Sequence, residues 1–349
     1  MSAQRIRAHE ARVDPAQEQA VIAALRAGAL VALPTETIYG IAARADDPRS
    51  LERLRALKGL DANAPLARHF AHDDLDALPV RWNAAARRLA TRYWPGPVLL
   101  VLPSSTSAEH TGWRSPATPL TRSILRAAEF PIVLAAASRG AAPPLEDAAS
   151  IERELGGELA FVIDAGLTPL GEPSTVVKLG RGPLQVLREG ILSADEVRAV
   201  AGRRYVFVCT GNTCRSPMAE AWMRRRLALH LECADRDVSS YGYAVHSMGI
   251  AANPGEPASG PSLAVLREAG IDLRPHRASR LDRERLRAAH HVLAMGPQHL
   301  EVLLDVLPEL AGKARLVAER PVPDPIGGTT EDYRRCSEVL RLAVEKLPL

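Results

Sequence analysis

The chain has 349 residues, room for about two domains, and its 46% hydrophobic and 24% charged content is that of an ordinary globular protein. A net charge of +3 without a basic tail makes no electrostatic case for nucleic acid. No run reaches the roughly 18 apolar residues of a membrane span, and MSAQRIRAHEARVD at the N-terminus does not read as a signal peptide. The four cysteines (Cys209, Cys214, Cys233 and Cys336) all lie beyond residue 200. This points to thiol chemistry in one domain and a reducing, cytoplasmic setting, not to a disulfide framework.

In chain order, AQEQAVIAALRAGA carries apolar residues at helical spacing, and after its Gly the run LVALPTETIYGI reads as a buried strand entering a turn. Helical patterns resume at SLERLRALKG and NAAARRLATRY, with strands at VLLVL, FPIVLAAA and LAFVIDAG, an alternation that predicts an α/β sheet. SADEVRAVAG is a short helix closed by Gly, so the domain boundary is placed there, giving domains 1–200 and 204–349. Beyond it, strand YVFVC leads into helix SPMAEAWMRRRLALHL. Strand YAVHSMGI, helix GPSLAVLREAG, strand HHVLAM, helix PQHLEVLLDVL and a last helix from Glu331 follow. That rhythm predicts a doubly wound parallel sheet, in which ligands bind beyond the carboxyl ends of the strands; Cys209 ends the first strand.

The segment Cys209-Thr210-Gly211-Asn212-Thr213-Cys214-Arg215-Ser216 joins that strand to that helix, with five residues between Cys209 and Arg215 and Pro217 in the first helical turn. Loop amides backed by a helix N-terminus form an anion site, and Arg215 adds a planar fork of donors able to hold two phosphate oxygens. Gly211 offers the freedom that a tight anion-binding turn needs. Attack on phosphorus requires a thiolate. A helix terminus contributes about 0.3–2 kcal/mol towards one, so loop amides, Arg215 and the Ser216 hydroxyl are expected to supply the rest. A structural thiol or a Cys-x4-Cys metal pair is the plainer reading of Cys209 and Cys214. No Cys/His spacing completes a zinc site, and no metal is expected.

VFVCTGNTCRSPMAEAW resembles the active-site segment of the low-molecular-weight protein phosphatases, and the likeness extends over about residues 204–349. GIDLRPHRASRL, HHVLAMGPQHL and PDPIGGTTEDYRRC are similar to three further segments of that family. The resemblance implies Cys209 as nucleophile, Arg215 as transition-state clamp and Asp324 as the acid that protonates the leaving group. It places Thr210, Gly211, Asn212, Thr213, Cys214 and Ser216 around the phosphoryl group, with His276 supporting the loop. It also implies a phosphorylated protein substrate and no cofactor. Thr213 stands where the phosphotyrosine branch carries Ile or Leu and the protein-arginine phosphatase branch carries Thr, so phosphoarginine is the expected substrate and phosphotyrosine the alternative. Ile326 departs from the aromatic residue common to both branches. Arsenate reduction would need a further cysteine pair, and residues 234–335 contain none.

LPTETIYGIAARADD, KGLDANAPL, WPGPVLLVL, WRSP, PSTVVKL and LREGI, in that order, resemble the YrdC/YciO-like threonylcarbamoyl-adenylate synthase family over roughly residues 15–195. The resemblance implies a twisted α/β sheet with a hollow for a nucleotide and threonine, and through it a nucleotide or RNA contact. The ligand candidates it implies are Thr35, Thr37, Tyr39, Lys58, Arg114, Ser174, Thr175 and Arg188. Three positions depart from the family pattern: Leu60-Asp61 replaces an Arg-Pro pair, Ala136-Ala137-Ser138 replaces Ser-Ala-Asn, and Leu99 replaces a Thr. A site that must neutralise a triphosphate loses a cation and an amide by these changes, which predicts a degenerate domain over an active synthase.

Overall fold

The computed structural model describes residues 3–8, 12–180 and 182–349. It divides into two compact units, one carried by Met1–Gly180 with Leu184–Val200 and the other by Arg181–Pro183 with Ala201–Leu349, so the main division falls between Val200 and Ala201. Among the described residues no helix is long and apolar enough to cross a membrane.

The first unit runs β1 (Gln4–Arg7), α1 (Pro15–Arg26), β2 (Leu30–Leu33), β3 (Gly40–Arg44), α2 (Pro48–Leu57), β4 (Arg68–His69), α3 (Ala84–Tyr93), β5 (Val98–Pro103), β6 (His110–Arg114), α4 (Pro119–Ala127), β7 (Ile132–Ala136), α5 (Ala148–Leu155), β8 (Leu159–Asp164), β9 (Thr175–Lys178), β10 (Gln185–Arg188) and α6 (Ala194–Ala201). Its ten strands form one mixed sheet in the order β1-β8-β2-β3-β7-β4-β6-β5-β9-β10. β2 and β3 join antiparallel through the PTETIYG turn, whereas β8 lies parallel to both β1 and β2. α1 starts at Pro15, where the missing N–H costs nothing, with Asp14 capping the Ala16 amide. Its Val21, Ile22 and Leu25 pack with Val31, Leu33, Ile132 and Ile163 of the sheet to close one apolar layer.

The second unit contains β11 (Arg204–Cys209), α7 (Arg215–Leu231), β12 (Ala244–Gly249), α8 (Gly260–Glu268), α9 (Arg283–Ala288), β13 (His291–Ala294), α10 (Pro297–Val306), β14 (Ala314–Leu316) and α11 (Thr330–Glu345). Its four strands are all parallel, in the order β12-β11-β13-β14. Alternation along β11 decides what each face meets. Tyr205, Phe207 and Cys209 join Met218, Leu227, Leu340 and Val344 of α7 and α11. Val206 and Val208 join Leu286, Leu303 and Leu307 on the α9 and α10 side. β11 is central, and its neighbours on the two sides follow it through crossovers, so the strand order reverses there and the crevice opens at its carboxyl end, where Cys209 sits.

Candidate active site

The loop from Cys209 to Arg215 hangs between the end of β11 and the first turn of α7. No side-chain cap closes that helix, so its first amides remain turned towards the loop. The sequence assigns the special backbone geometry to Gly211, but the left-handed residue is Asn212, at φ 56°. Asn tolerates this conformation because its side chain finds local partners. Asn212 is fully buried. Its Nδ2 donates to Ser216 Oγ and Ser247 Oγ at 2.9 Å each, and its Oδ1 accepts from the Ser279 amide at 2.9 Å. His276 Nε2 reaches the Asn212 carbonyl at 2.7 Å.

Cys209 is 3% exposed. Its sulfur lies 2.9 Å from Ser216 Oγ and accepts the Asn212 amide at 3.3 Å, so a hydroxyl and a loop amide converge on it. Arg215 is buried, and its guanidinium bonds Asp324 and donates to the Val322 carbonyl at 3.4 Å. Asp324 keeps 42% of its side chain exposed, and its Oδ1 accepts the Ile326 amide at 3.2 Å. Arg215 and Asp324 are thus joined beside the loop that carries Cys209, and Ile326, two residues beyond Asp324, is exposed.

The remaining loop residues face different surroundings. The Thr210 hydroxyl pairs with His299 Nε2 at 2.9 Å. Thr213 is half-buried with its hydroxyl 3.6 Å from the Cys214 sulfur. Cys214 points inward to Ser259 Oγ at 3.3 Å and the Tyr333 hydroxyl at 3.5 Å, which makes it part of the loop's support. Burial pushes the Tyr333 hydroxyl and the Cys336 thiol each up to about 12.

Sequence reasoning passed over His299, Ser247, Glu220 and Gly249. His299 is wholly buried, its Nδ1 lacks a hydrogen-bond partner among the described residues, and burial with Arg215 nearby holds its ring below the usual histidine range. It lies within the HHVLAMGPQHL segment, where a histidine three residues past a Gly was the available signal. Glu220 also had a signal, standing one helical turn after Ser216 on the same face. Ser247 and Gly249 had none, since they reach the loop only through the pairing of β12 with β11.

In the first unit every sequence-derived candidate is bonded internally. Thr35 Oγ1 donates to the Ile38 carbonyl at 2.6 Å and lies 2.9 Å from Thr37 Oγ1. Arg114 bonds Thr37 Oγ1 at 2.8 Å, Glu36 at 2.6 Å and the Gly96 carbonyl at 3.1 Å. Lys58 donates to the Ser138 carbonyl at 2.7 Å and its hydroxyl at 2.5 Å, and its partial burial lowers the ammonium's affinity for a proton. Arg188 clasps the Ser174 carbonyl at 2.8 Å, and Thr175 Oγ1 donates to the Leu192 carbonyl at 2.9 Å. Tyr39 does not join a solvent-facing hollow: it is fully buried in the core, with its hydroxyl donating to the Gly166 carbonyl at 2.7 Å. Beside Arg114, buried His69 is driven down to about 3, by burial first and then by that cation.

Comparison with known proteins follows the same division. The Sua5/YciO/YrdC family model, described as telomere recombination, matches residues 23–190, and the low molecular weight phosphotyrosine protein phosphatase model matches residues 204–348. A protein-arginine-phosphatase of Geobacillus stearothermophilus is 35% identical over 150 residues, covering 41% of this chain and 93% of its own. A threonylcarbamoyl-AMP synthase of Chromohalobacter salexigens is 34% identical over 170 residues, covering 46% of this chain and 91% of its own. The solved structure of Pyrococcus abyssi Sua5 complexed with L-threonine superposes with a TM-score of 0.53 at 26% identity, covering 66% of this chain and 77% of the other. The chain spans little more than half, 55% and 58%, of the length of the threonylcarbamoyl-AMP synthases it matches in Pyrococcus abyssi and Bacillus subtilis. The chain therefore belongs to two families, the Sua5/YciO/YrdC family in its first unit and the low-molecular-weight protein phosphatases in its second.

Proposed function

We propose that the second unit hydrolyses phosphoarginine in proteins through a phosphocysteine intermediate. The observation that carries the phosphatase reading is the convergence of Ser216 Oγ and the Asn212 amide on Cys209 Sγ, with Arg215 and Asp324 joined beside the loop. The phosphoryl oxygens take Arg215 over from Asp324, and the carboxyl, now beside a dianion, can carry the proton that the leaving group needs. Cys209 sulfur attacks phosphorus as the P–N bond breaks, and Asp324 delivers its proton to the departing guanidine nitrogen. Water then attacks the phosphocysteine, giving a proton back to Asp324 as the S–P bond breaks and the thiolate returns.

Thr213 supports phosphoarginine as the substrate, together with the protein-arginine-phosphatase relative. A hydroxyl at the pocket wall can bond a phosphoguanidinium, and an isobutyl group cannot. Phosphotyrosine is the second reading, favoured by the match to the low molecular weight phosphotyrosine protein phosphatase model. Rates on phosphoarginine, phosphotyrosine and phosphoserine peptides test both. Preference for phosphoarginine supports the proposal, and preference for phosphotyrosine replaces it with the second reading.

For the first unit the reading is a ligand- or RNA-binding domain without synthase activity. It is supported by Leu60 in place of a cation and by the internal bonds of Lys58 and Arg114. A bifunctional protein that also makes threonylcarbamoyl-adenylate is the alternative.

A further inference from the structure

Glu220 stands on α7 one turn beyond Ser216, outside the group of residues that touch the reacting atoms. We propose that it is a positioning residue for the phosphatase reaction: through Ser247 and Asn212 it fixes the direction of a buried hydrogen-bond chain, so that the Ser216 hydroxyl gives its proton to the Cys209 sulfur. The inference rests on the phosphatase reading and adds to it a residue that acts at a distance.

The direction follows from counting protons. An ionised carboxylate only accepts. Ser247 Oγ donates to Glu220 Oε2 at 2.7 Å, which uses its one proton. It can then only accept from Asn212 Nδ2, at 2.9 Å. With Ser247 able only to accept, the amide presents its NH2 group to the two hydroxyls, and Asn212 Oδ1 takes the Ser279 backbone N–H at 2.9 Å in the same orientation. Its second proton goes to Ser216 Oγ at 2.9 Å. Ser216 then holds one proton and two acceptors, Cys209 Sγ at 2.9 Å and the Met248 carbonyl at 3.4 Å. The shorter contact, to the atom that becomes anionic, is preferred.

Glu220 is itself held. Arg224 donates to its Oε1 at 3.1 and 2.8 Å from Nε and Nη2, and ties to the Val245 carbonyl at 2.6 Å, leaving Oε2 for Ser247. Asn212 and Ser216 are fully buried and Ser247 is 6% exposed, so water does not readily substitute for a missing acceptor. Without Glu220 the Ser247 proton has no acceptor, the hydroxyl turns, and the constraint on Asn212 and Ser216 is released.

The test is steady-state hydrolysis of para-nitrophenyl phosphate by the full chain and its E220A, E220Q, S216A and E220A/S216A variants. E220A is expected to lower kcat about tenfold with KM within about twofold, because the loop amides and Arg215 are untouched. E220Q retains an oxygen that can accept the same proton and returns kcat to within about threefold of wild type. In the S216A background, E220A costs less than about twofold more, since it acts through the missing hydroxyl. Equal losses in both backgrounds, a rise in KM alone, or E220Q as slow as E220A would overturn the proposal. If thermal melting shows E220A unfolded, Ser247→Ala breaks the same chain from β12 and takes its place, with the same expectation in the S216A background. A wild-type chain without hydrolysis overturns the phosphatase reading and this proposal together, whereas additive losses in an active enzyme overturn this proposal alone.

Discussion

Around Cys209, identity matters at the level of single atoms. Asp324 is bonded to Arg215, and in the proposed reaction it yields that cation to the phosphoryl group and protonates the leaving group. Asp324→Asn is therefore expected to slow substrates with poor leaving groups by about 10²–10⁴-fold, and activated aryl phosphates far less. Comparing kcat on the two classes checks this, and equal losses would make Asp324 structural. Thr213 is the specificity residue of the account. Thr213→Ile should move the ratio of kcat/KM from phosphoarginine towards phosphotyrosine by at least about tenfold, or ~1.4 kcal/mol of differential transition-state stabilisation. The ratio is the informative quantity, because the added volume alone lowers both rates. An unchanged ratio would leave Thr213 as a packing residue.

At the scale of elements, the demand for glycine falls on β12, not on the loop itself. A Cβ on Gly249 would lie 2.4 Å from the Thr210 carbonyl oxygen and 3.0 Å from the Asn212 nitrogen, whereas on Gly211 the nearest atom is Thr213 Oγ1 at 3.6 Å. Gly249→Ala should thus destabilise the second unit by about 1–3 kcal/mol, through overpacking against backbone that cannot yield. Gly211→Ala should stay within about 0.5 kcal/mol. Denaturant melts of the two variants measure the difference, and equal costs would contradict the close approach. Why the sequence pointed to the wrong glycine is physical. β11, the loop and α7 are contiguous, so hydrophobic alternation, Pro217 and the Cys-to-Arg spacing made them legible. Gly249, Ser247 and Ser279 arrive from segments 35 to 67 residues away from Asn212, and only strand pairing brings them in. The same limit hid β4, a two-residue strand held between β6 and β7, and the mixed order of the ten-stranded sheet. Long periodic helices such as α1, α3 and α10 were readable because their apolar faces repeat locally.

For the whole molecule, the two units make separate claims. In the first, His69 is held down to about 3 against an ordinary value of 6.5, by burial and by Arg114. Between those values the unfolded chain binds the proton that the folded unit refuses, so stability falls as pH drops below about 6.5 and is regained as pH rises. The slope attributable to one such group approaches about 1.4 kcal/mol per pH unit within that window. Melting curves at several pH values should show it for the first unit, and His69→Gln should flatten it; an unchanged slope in the variant would assign the effect elsewhere. The first unit is also expected to make no threonylcarbamoyl-adenylate from ATP, threonine and bicarbonate. Micromolar ATP binding by calorimetry with threonine-dependent pyrophosphate release would reject that. The central claim concerns the second unit, and it reduces to one atom. The decisive measurement is a single-turnover acid quench with para-nitrophenyl phosphate, reading phosphate bound to the protein by mass spectrometry of its peptides. The account predicts phosphate on Cys209 in the wild type, with neither adduct nor turnover in Cys209→Ser; turnover retained by Cys209→Ser, or phosphate carried on another residue, would contradict it.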